Sequence, residues 1–387
     1  MKSSVYVVNC NSYDEAPKKI QELINIMGGI SQFVKNEEKI TLKANLLSPL
    51  TPDKAVTTHP SIIRAIGELI ENDGASATVA DSPGAGFLHT QPTFKKLYTQ
   101  CGLYEAVKDT KIELNMDTGF KTIEYPKGKQ VKKIDIINPV LKADGIFNLC
   151  KMKTHAYLHM TGAVKNNFGV IPGLSKVGYH TKFLNKIEFC DMLLDISESV
   201  NSRLSIMDAV YSIEGEGPGS SGTPRHVGLI LASTSELALD IVAGEIMGLS
   251  QKNNPILVAA QKRGITPNNI DDINIIGADI DLLRISDYKF PPTITHGESN
   301  LKSNSFIMNK LLAPILKQYP IVNKDKCIGC GVCVKSCPKN AITMSTQGKN
   351  HAIINSKNCV CCYCCHELCN YNAVEIKKNP IAKLLNI

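Results

Sequence analysis

The chain has no tryptophan, and aromatic residues make up only 6% of its 387 residues. Its longest apolar runs, at residues 227–231 and 311–316, are far shorter than the roughly 20 residues that a membrane-spanning helix needs. The first ten residues carry one lysine and a short valine-rich run, and they lack the length and flanks of a signal peptide. These absences predict a cytoplasmic protein without a membrane span.

Cysteine is scarce through most of the chain and crowded near its end. Ten of the fourteen cysteines lie between residues 327 and 369, and the other four stand singly in apolar sequence. Single cysteines in such sequence are most simply buried small hydrophobic side chains, not halves of a disulfide framework. The crowded ten indicate a metal centre.

Two four-cysteine motifs follow one another with the same spacing of two, two and three intervening residues. This spacing is typical of ferredoxins with two [4Fe-4S] clusters, in which the fourth cysteine of each motif serves the other cluster. The predicted ligands of the first cluster are Cys327, Cys330, Cys333 and Cys369, and those of the second are Cys359, Cys362, Cys365 and Cys337.

Zinc is the alternative, because eight cysteines also suffice for two four-thiolate zinc sites. Structural zinc sites pair two short Cys-x-x-Cys segments, which two consecutive four-cysteine motifs match poorly. We therefore favour iron and sulfur.

The second motif departs from the bacterial two-cluster ferredoxins, which residues 319–377 otherwise resemble. Asn370 stands where a proline usually follows, and Cys361 and Cys364 occupy positions that do not bind iron. These changes bear on the potential and oxygen tolerance of the second cluster, not on its existence. Four short strands, at residues 320–322, 341–344, 352–354 and 374–376, complete a small α+β ferredoxin-like domain.

The positive charge of the chain belongs largely to this domain. Residues 319–387 contain nine lysines, no arginine and three acids, whereas the rest of the chain is nearly neutral. Two oxidised clusters with their thiolates add about −2 each, which lowers the local excess to roughly +2. A nucleic-acid partner is therefore not needed to explain the basic composition.

The first two thirds of the chain alternate between short strands and amphipathic helices. This alternation predicts an α/β domain with a mostly parallel sheet flanked by helices. The predicted strands are residues 5–8, 39–42, 77–80, 145–149, 204–207, 227–231 and 273–276, and the predicted helices are 14–26, 60–71, 94–107, 183–200 and 235–247. Residues 111–133 read as an antiparallel excursion closed by a turn at 126–128.

The predicted domain organisation has four parts. Residues 1–283 form the α/β domain, residues 284–318 a proline-punctuated linker, residues 319–378 the two-cluster ferredoxin domain, and residues 379–387 a tail. An apolar stretch at residues 306–316 is expected to pack on a neighbouring domain.

Polar side chains gather at the predicted carboxyl ends of four strands, where open parallel sheets bind ligands. A short helix from Thr161 to Gly169 is expected to add amide donors near the lysines, so that the cleft would attract a small anion. The alternative is that the lysines form a solvated face. The predicted ligand-binding residues are Lys43, Asn45, Asp81, Lys151, Lys153, Lys165 and Asn166, and the predicted catalytic residues are His155 and Asp208.

Familiar cofactor motifs are missing from this region. Gly84-Ala-Gly86 lacks the third glycine of a dinucleotide fingerprint, and no phosphate-binding Walker sequence occurs. His155, His159 and His180 form a conceivable metal set. We favour histidines with ordinary partners, because no carboxylate completes a zinc-enzyme pattern.

These motifs together resemble the domain-of-unknown-function 362 family over about residues 39–243. The likeness is carried by Lys-Ala-Asn45-Leu-Leu, Asp81-Ser-Pro-Gly, Lys151-Met-Lys153-Thr-His155, the Lys165-Asn166 helix, His180, and Asp208 with Glu214-Gly. Members of that family commonly carry an appended two-cluster ferredoxin module and occur largely in anaerobes and archaea. The resemblance implies this architecture and electron transfer, and it implies no substrate.

The leading hypothesis is an iron-sulfur protein that passes low-potential electrons from a redox partner protein to a small anionic substrate. Four lysines (Lys43, Lys151, Lys153, Lys165) would hold the anion, Asn45 and Asn166 would orient it, and His155 or Asp208 would handle protons. Two alternatives stay open: a dedicated electron shuttle that docks on a partner enzyme, and an accessory protein for metalloenzyme maturation. Only the first would make the chain an enzyme, a ferredoxin-coupled oxidoreductase.

Overall fold

The computed structural model describes residues 2–84, 86–173, 175–294 and 318–377. Most of the predicted linker, including the apolar stretch at 306–316, and the predicted tail lie outside these ranges.

A nine-stranded sheet forms the centre of the larger unit. Its strands are β1 (Ser3–Asn9), β2 (Lys39–Lys43), β3 (Ser76–Ala80), β4 (Glu113–Leu114), β7 (Gly145–His155), β8 (His159–Thr161), β9 (Leu204–Gly215), β10 (Gly222–Ser233) and β11 (Ile273–Ile276). The order across the sheet is β11-β1-β10-β9-β7-β2-β3-β4, with β8 paired to β7. Strands β9, β7, β2, β3 and β4 are parallel, and β10 is antiparallel to both of its neighbours.

Helices cover both faces of this sheet. They are Ala16–Ile26, Pro60–Asn72, Gln91–Gln100, Leu103–Val107, Asn138–Leu141, Ala163–Asn166, Ser175–Lys182, Lys186–Val200, Glu236–Met247, Pro255–Lys262 and Ile280–Leu283. Several begin at side chains suited to helix N-termini: Asn185, Ser235 and Asn254 each accept a hydrogen bond from a backbone amide of the first turn.

Alternating side chains of the central strands feed two separate cores. In β9, Leu204 and Ile206 enter the core beneath the first helices, whereas Met207 and Ala209 enter the core on the opposite face. A strand points successive side chains to opposite faces, so a strand covered on both sides is apolar throughout. This explains the continuous apolar runs of the sequence and confirms the predicted α/β class.

All seven predicted strands are present, and three of them extend well beyond the apolar run that identified them. The predicted helix at 94–107 is divided near Gly102, whose φ of +74° is left-handed. The predicted excursion at 111–133 is shifted: β5 (Phe120–Glu124) and β6 (Lys133–Ile137) form the antiparallel hairpin, whereas β4 joins the main sheet in parallel.

The cysteine-rich unit is built from two strand pairs and two short helices. Strands β12 (Pro320–Val322) and β15 (Val374–Ile376) form one antiparallel pair, and β13 (Ile342–Met344) and β14 (Ala352–Ile354) form the other. The helices are Val332–Lys335 and Cys364–Glu367. In the part of the chain that the structure describes, no helix combines the length and apolar character needed to cross a membrane.

Candidate cluster sites and the adjoining basic cleft

Two cavities in the small unit each collect four of the predicted cluster cysteines. The first, about 390 Å³ including space open to solvent, is lined by Cys327, Cys330, Cys333 and Cys369. The second, about 340 Å³ on the same measure, is lined by Cys337, Cys359, Cys362 and Cys365, together with Cys364. Each cavity therefore takes its fourth cysteine from the other motif, as the crossed pattern predicts, and each donor set fits a four-iron cluster.

The two motifs repeat in backbone conformation as well as in sequence, at an offset of 32 residues. Gly329 corresponds to Cys361, Gly331 to Tyr363, and Asn340 to Asn372, and all six residues have left-handed φ angles. Amides at equivalent positions point at thiols: Ala341 donates to Cys337 Sγ at 3.1 Å and Ala373 to Cys369 Sγ at 3.3 Å. Hydrogen bonds to the sulfur atoms that bind a cluster are one of the factors that set its potential.

A cleft of about 640 Å³, part of it open to solvent, lies at the carboxyl ends of β2 and β3. The larger unit lines it with Asn45, Leu47, Asp81, Ser82, Gly84, Lys153, Thr161, Lys165, Asn166, Phe168, Gly169, Lys176, His180 and Pro218. The small unit closes it with Cys364, Glu367 and Leu368. The cleft is therefore a joint product of both units.

Three lysines give the cleft its basic character. Lys153 Nζ donates to Asn45 Oδ1 at 2.9 Å and to a backbone carbonyl, and Lys176 Nζ donates to the carbonyls of Ser82 and Pro83. Burial, with a contribution from Lys165, lowers the pKa of Lys153 to about 7. Burial also lowers the pKa of Lys176 to about 7, although Asp81 opposes it.

A chain of amides fixes the polar wall. Asn45 Nδ2 donates to Asn166 Oδ1 at 2.9 Å, and Asn166 Nδ2 donates to Asn148 Oδ1 at 2.7 Å. Lys43 does not line the cleft, because its ammonium group pairs at 2.8 Å with Asp81 beneath the wall. Asp81, Asn45 and Asn166 are thus brought together as the sequence predicts. Lys43 holds Asp81 in place through the ion pair and does not itself reach the cleft.

Lys151 and Asp208 lie outside the cleft wall and form a separate ion pair. Lys151 Nζ is 2.8 Å from Asp208 Oδ2, and both side chains are fully buried. Asp208 also accepts hydrogen bonds from the Tyr13 hydroxyl at 3.1 Å and from the His59 amide at 2.9 Å. These partners occupy the carboxylate, so its position does not favour the predicted catalytic role in the cleft.

The expected anion site at the Thr161 helix is not present. The helix is one turn, Ala163–Asn166, and the Asp240 carboxylate already accepts from the amides of Ala163 and Val164. An acid from a distant helix therefore takes the place predicted for a ligand.

His155 faces the small unit. Its Nδ1 accepts from the amides of Tyr157 and Leu158, so the proton of the neutral ring is on Nε2, 3.5 Å from Glu367 Oε2. Burial lowers the pKa of His155 to about 4. Burial alone would raise the pKa of the Glu367 carboxyl, but Lys165 and His155 outweigh it and hold that pKa well below its usual range.

The three histidines do not form a metal site. His180 stacks on Phe189, and His159 Nδ1 contacts the carbonyl of Asn253. Within the described ranges, no three histidine, cysteine or acidic side chains converge to hold a single metal ion.

Small residues allow the two units to meet. A Cβ on Gly84 would lie 2.5 Å from Leu368, and one on Gly219 would lie 2.2 Å from the Glu367 carbonyl oxygen. Gly84 and Gly86 therefore serve close packing against the small unit, which explains glycines that fit no nucleotide fingerprint.

Family comparison follows this division of the chain. Residues 40–245, which contain every cleft residue of the larger unit, match the family model described as Domain of unknown function (DUF362). The chain belongs to the DUF362 family. Residues 320–343, outside the DUF362 region, match the 4Fe-4S binding domain model.

Curated relatives support the same two parts. The thylakoid-associated protein sll1697 of Synechocystis is 30% identical over 278 residues, covering 69% of this chain and 81% of that protein. The ferredoxin-type protein NapF of Haemophilus influenzae is 58% identical over 31 residues, covering 8% of this chain and 18% of that protein. This DUF362 protein therefore carries an iron-sulfur domain with an electron-transfer role.

One solved structure aligns with part of this chain. The lactate racemase apoprotein of Thermoanaerobacterium thermosaccharolyticum aligns with a TM-score of 0.43 and 13% identity, covering 64% of this chain and 58% of that chain, less than two thirds of its length.

Among the cleft residues that the sequence did not predict for the site are Lys176, Cys364, Glu367 and Leu368. Lys176 does not follow a predicted strand. The other three residues lie in the second cysteine motif, which was assigned to cluster binding alone. The one available signal was Glu367 itself, an acid among the few in a basic domain.

Proposed function

We propose that this DUF362 protein binds two [4Fe-4S] clusters and delivers single low-potential electrons to a small anionic molecule in the basic cleft. When bound, the clusters supply one electron each at low potential. In this proposal residues 1–283 form the substrate-binding domain and residues 319–378 the two-cluster domain. A redox partner protein supplies the electrons, and the cytoplasmic location stays a prediction.

The position of Cys364 carries the proposal. This residue lines both the basic cleft and the cavity of Cys337, Cys359, Cys362 and Cys365. At Cys364 a single residue separates the basic cleft from the second cluster cavity. This is the arrangement expected when an electron donor and its acceptor site are fused in one chain. A shuttle that merely docks on a partner enzyme has no need of such a cleft.

The charges of the cleft support an anionic ligand. Lys153, Lys165 and Lys176 line it, against Asp81 and Glu367. Asp81 is already paired with Lys43, so the three lysines exceed the remaining acid. We assign the binding of the anion to the lysines and its orientation to Asn45 and Asn166, and we treat His155 as a positioning residue for Glu367.

Replacement of Lys153 by methionine is expected to weaken ligand-dependent reoxidation while leaving iron content unchanged. Loss of a buried charged hydrogen bond costs about 1.5 to 3 kcal/mol, so the apparent affinity should fall about ten- to hundred-fold. The reduced protein is mixed anaerobically with a panel of small carboxylates and phosphate esters, and cluster absorbance reports reoxidation.

The matched control is Lys182→Met. Lys182 is an exposed lysine on the helix that carries Lys176, but it does not line the cleft. Equal behaviour of the two variants, or reoxidation by no member of a broad anion panel, would remove the cleft from the proposed function.

Anion binding is expected to weaken as the pH rises through about 7. Lys153 and Lys176, each with a pKa of about 7, are charged below this pH and lose their charge above it. A bound anion favours the protonated forms, so the loss of affinity extends above pH 7. Sulfate keeps its charge in this range, and calorimetry between pH 6 and 9 should show roughly a tenfold or larger weakening. Affinity that is constant or increases with pH contradicts this prediction.

A further inference from the structure

We propose that the rim of the Cys327–Cys369 cavity, hereafter the entry rim, docks an acidic one-electron carrier protein and is where electrons enter the chain. The entry rim comprises Ile328, Cys330 and Tyr371 with the neighbouring lysines Lys324, Lys326, Lys335 and Lys349. This inference rests on the two-cluster assignment of the proposed function and adds the direction of electron flow and the chemistry of the donor.

The two cysteine cavities differ in exposure. Around the first, Cys330 is exposed, and Ile328 and Tyr371 are 54% and 50% exposed. Around the second, Cys365 and Tyr363 are buried, and Cys337, Cys359 and Cys362 are half-buried, so that no predicted ligand is as exposed as Cys330. Ile328 and Tyr371 both line the first cavity, as does Cys330. The exposed side of this cavity is therefore its rim at these three residues. Single-electron transfer falls off steeply with distance, and an external donor therefore gains most by docking here.

The second cavity is turned towards the larger unit. Cys359, Cys361 and Tyr363 pack in one apolar cluster with Ala156 and Tyr157, directly after β7. Its wall at Cys364 faces the cleft. The two cavities therefore have different neighbours: an exposed rim at the first, where Ser220 of the larger unit reaches the Cys369 carbonyl on one side, and the ligand cleft at the second. In the proposed direction of flow, electrons enter at the cluster of the first cavity and leave from the cluster of the second cavity towards the cleft.

The charge around the entry rim selects the class of partner. Lys349 Nζ donates to the carbonyls of Lys324 and Asp325, which places this lysine beside the loop that leads to Cys327. Lys335 is exposed at the end of the helix that carries Cys333.

Acidic residues offset few of these lysines, and with two oxidised clusters bound the domain keeps a positive excess of roughly +2. Glu375 is paired with Lys326 at 2.9 Å, and Glu367 is turned into the cleft. Of the three acids between residues 319 and 377, only Asp325 is left to oppose Lys324, Lys335 and Lys349 at the surface. Complementary charge speeds association and fixes orientation, and electron-transfer partners form small, transient interfaces.

The test is binding of a flavodoxin, an acidic one-electron carrier, to the cluster-loaded full chain. The rim variant Lys324→Glu with Lys335→Glu is compared with the control Lys121→Glu with Lys127→Glu, which makes the same charge change on exposed lysines of the larger unit. Calorimetry or fluorescence at low ionic strength should show at least tenfold weaker binding for the rim variant and less than twofold change for the control. Raising the salt concentration should abolish the difference.

Equal weakening in both variants would overturn the docking proposal, because overall charge would then explain the binding. Failure of the unaltered protein to bind flavodoxin at low salt would overturn it as well. Iron content and ligand-dependent reoxidation are measured on the same samples. If the unaltered protein has normal iron content and reoxidation but does not bind flavodoxin, only the docking proposal falls; if its iron is far below two clusters, the proposed function falls.

Discussion

Protein purified without oxygen is expected to contain about eight iron and eight sulfide ions, and serine at Cys369 should reduce both to about four. Cys369 lines the cavity of Cys327, Cys330 and Cys333, although it belongs to the other motif in sequence. Serine is a poor iron ligand, because its hydroxyl group stays protonated where a thiol ionises. Serine at Cys337 should have the same effect on the other cavity.

Double variants show which cysteines serve the same cluster. Cys369→Ser combined with Cys330→Ser should still retain about four iron ions, because both changes affect one cavity. Cys369→Ser combined with Cys362→Ser should lose nearly all of the iron, because the two residues line different cavities. Iron and sulfide analysis with Mössbauer spectroscopy measures the number of clusters that each variant retains.

The control is Cys10→Ser, because Cys10 lies in the apolar core of the larger unit and far in sequence from both motifs. The reverse pattern would mean that each cluster is held within one motif, and stoichiometric zinc without sulfide would exclude the iron-sulfur assignment.

Replacing Lys151 by methionine is expected to destabilise the folded protein by about 3 to 5 kcal/mol. The change leaves the Asp208 carboxylate buried without its counter-ion, with only neutral donors around it. The additional change Asp208→Asn should recover part of the loss, because the neutral amide still accepts from the His59 amide. Anaerobic urea unfolding, compared by midpoint across the three proteins, measures the effect.

The exposed pair of Lys142 and Asp117 is the matched control. Its ammonium-to-carboxylate distance is also 2.8 Å, but the lysine side chain is 68% exposed. Lys142→Met should therefore cost less than about 1 kcal/mol. If Lys151→Met costs no more than this control, or if the double variant is less stable than the single one, the buried pair is not a structural unit.

The elements that the sequence identified correctly are those with a local signal. The strands show apolar runs bounded by turns, the helices show apolar residues every three or four positions, and both periods come from the geometry of the element itself. The ends of β7 and β9 were missed because a charged residue interrupts the apolar run of each strand, Lys151 in β7 and Asp208 in β9. The sequence placed Lys151, Lys153 and His155 after the predicted strand at 145–149, yet they continue a buried strand whose polar atoms find partners elsewhere in the fold.

The candidate site was predicted in part for the same reason. Asn45, Asp81, Lys153, Lys165 and Asn166 do share a cleft, because the carboxyl ends of neighbouring parallel strands meet at one edge. The sequence does not show which charges cancel one another. Lys43 pairs with Asp81 and Lys151 with Asp208, across separations that no local pattern encodes.

The sequence by itself determined the iron-sulfur chemistry, because a cluster is bound by cysteines close together in the chain whose spacing is set by the size of the cluster. It also determined the alternating α/β architecture, because burial on both faces of a sheet imposes apolar runs on every central strand. Only the tertiary structure decided that Asp240 caps the short helix at Ala163, and that Glu367 and Cys364 complete the cleft. Those contacts join segments tens to hundreds of residues apart, and they depend on how two separately patterned units pack against each other.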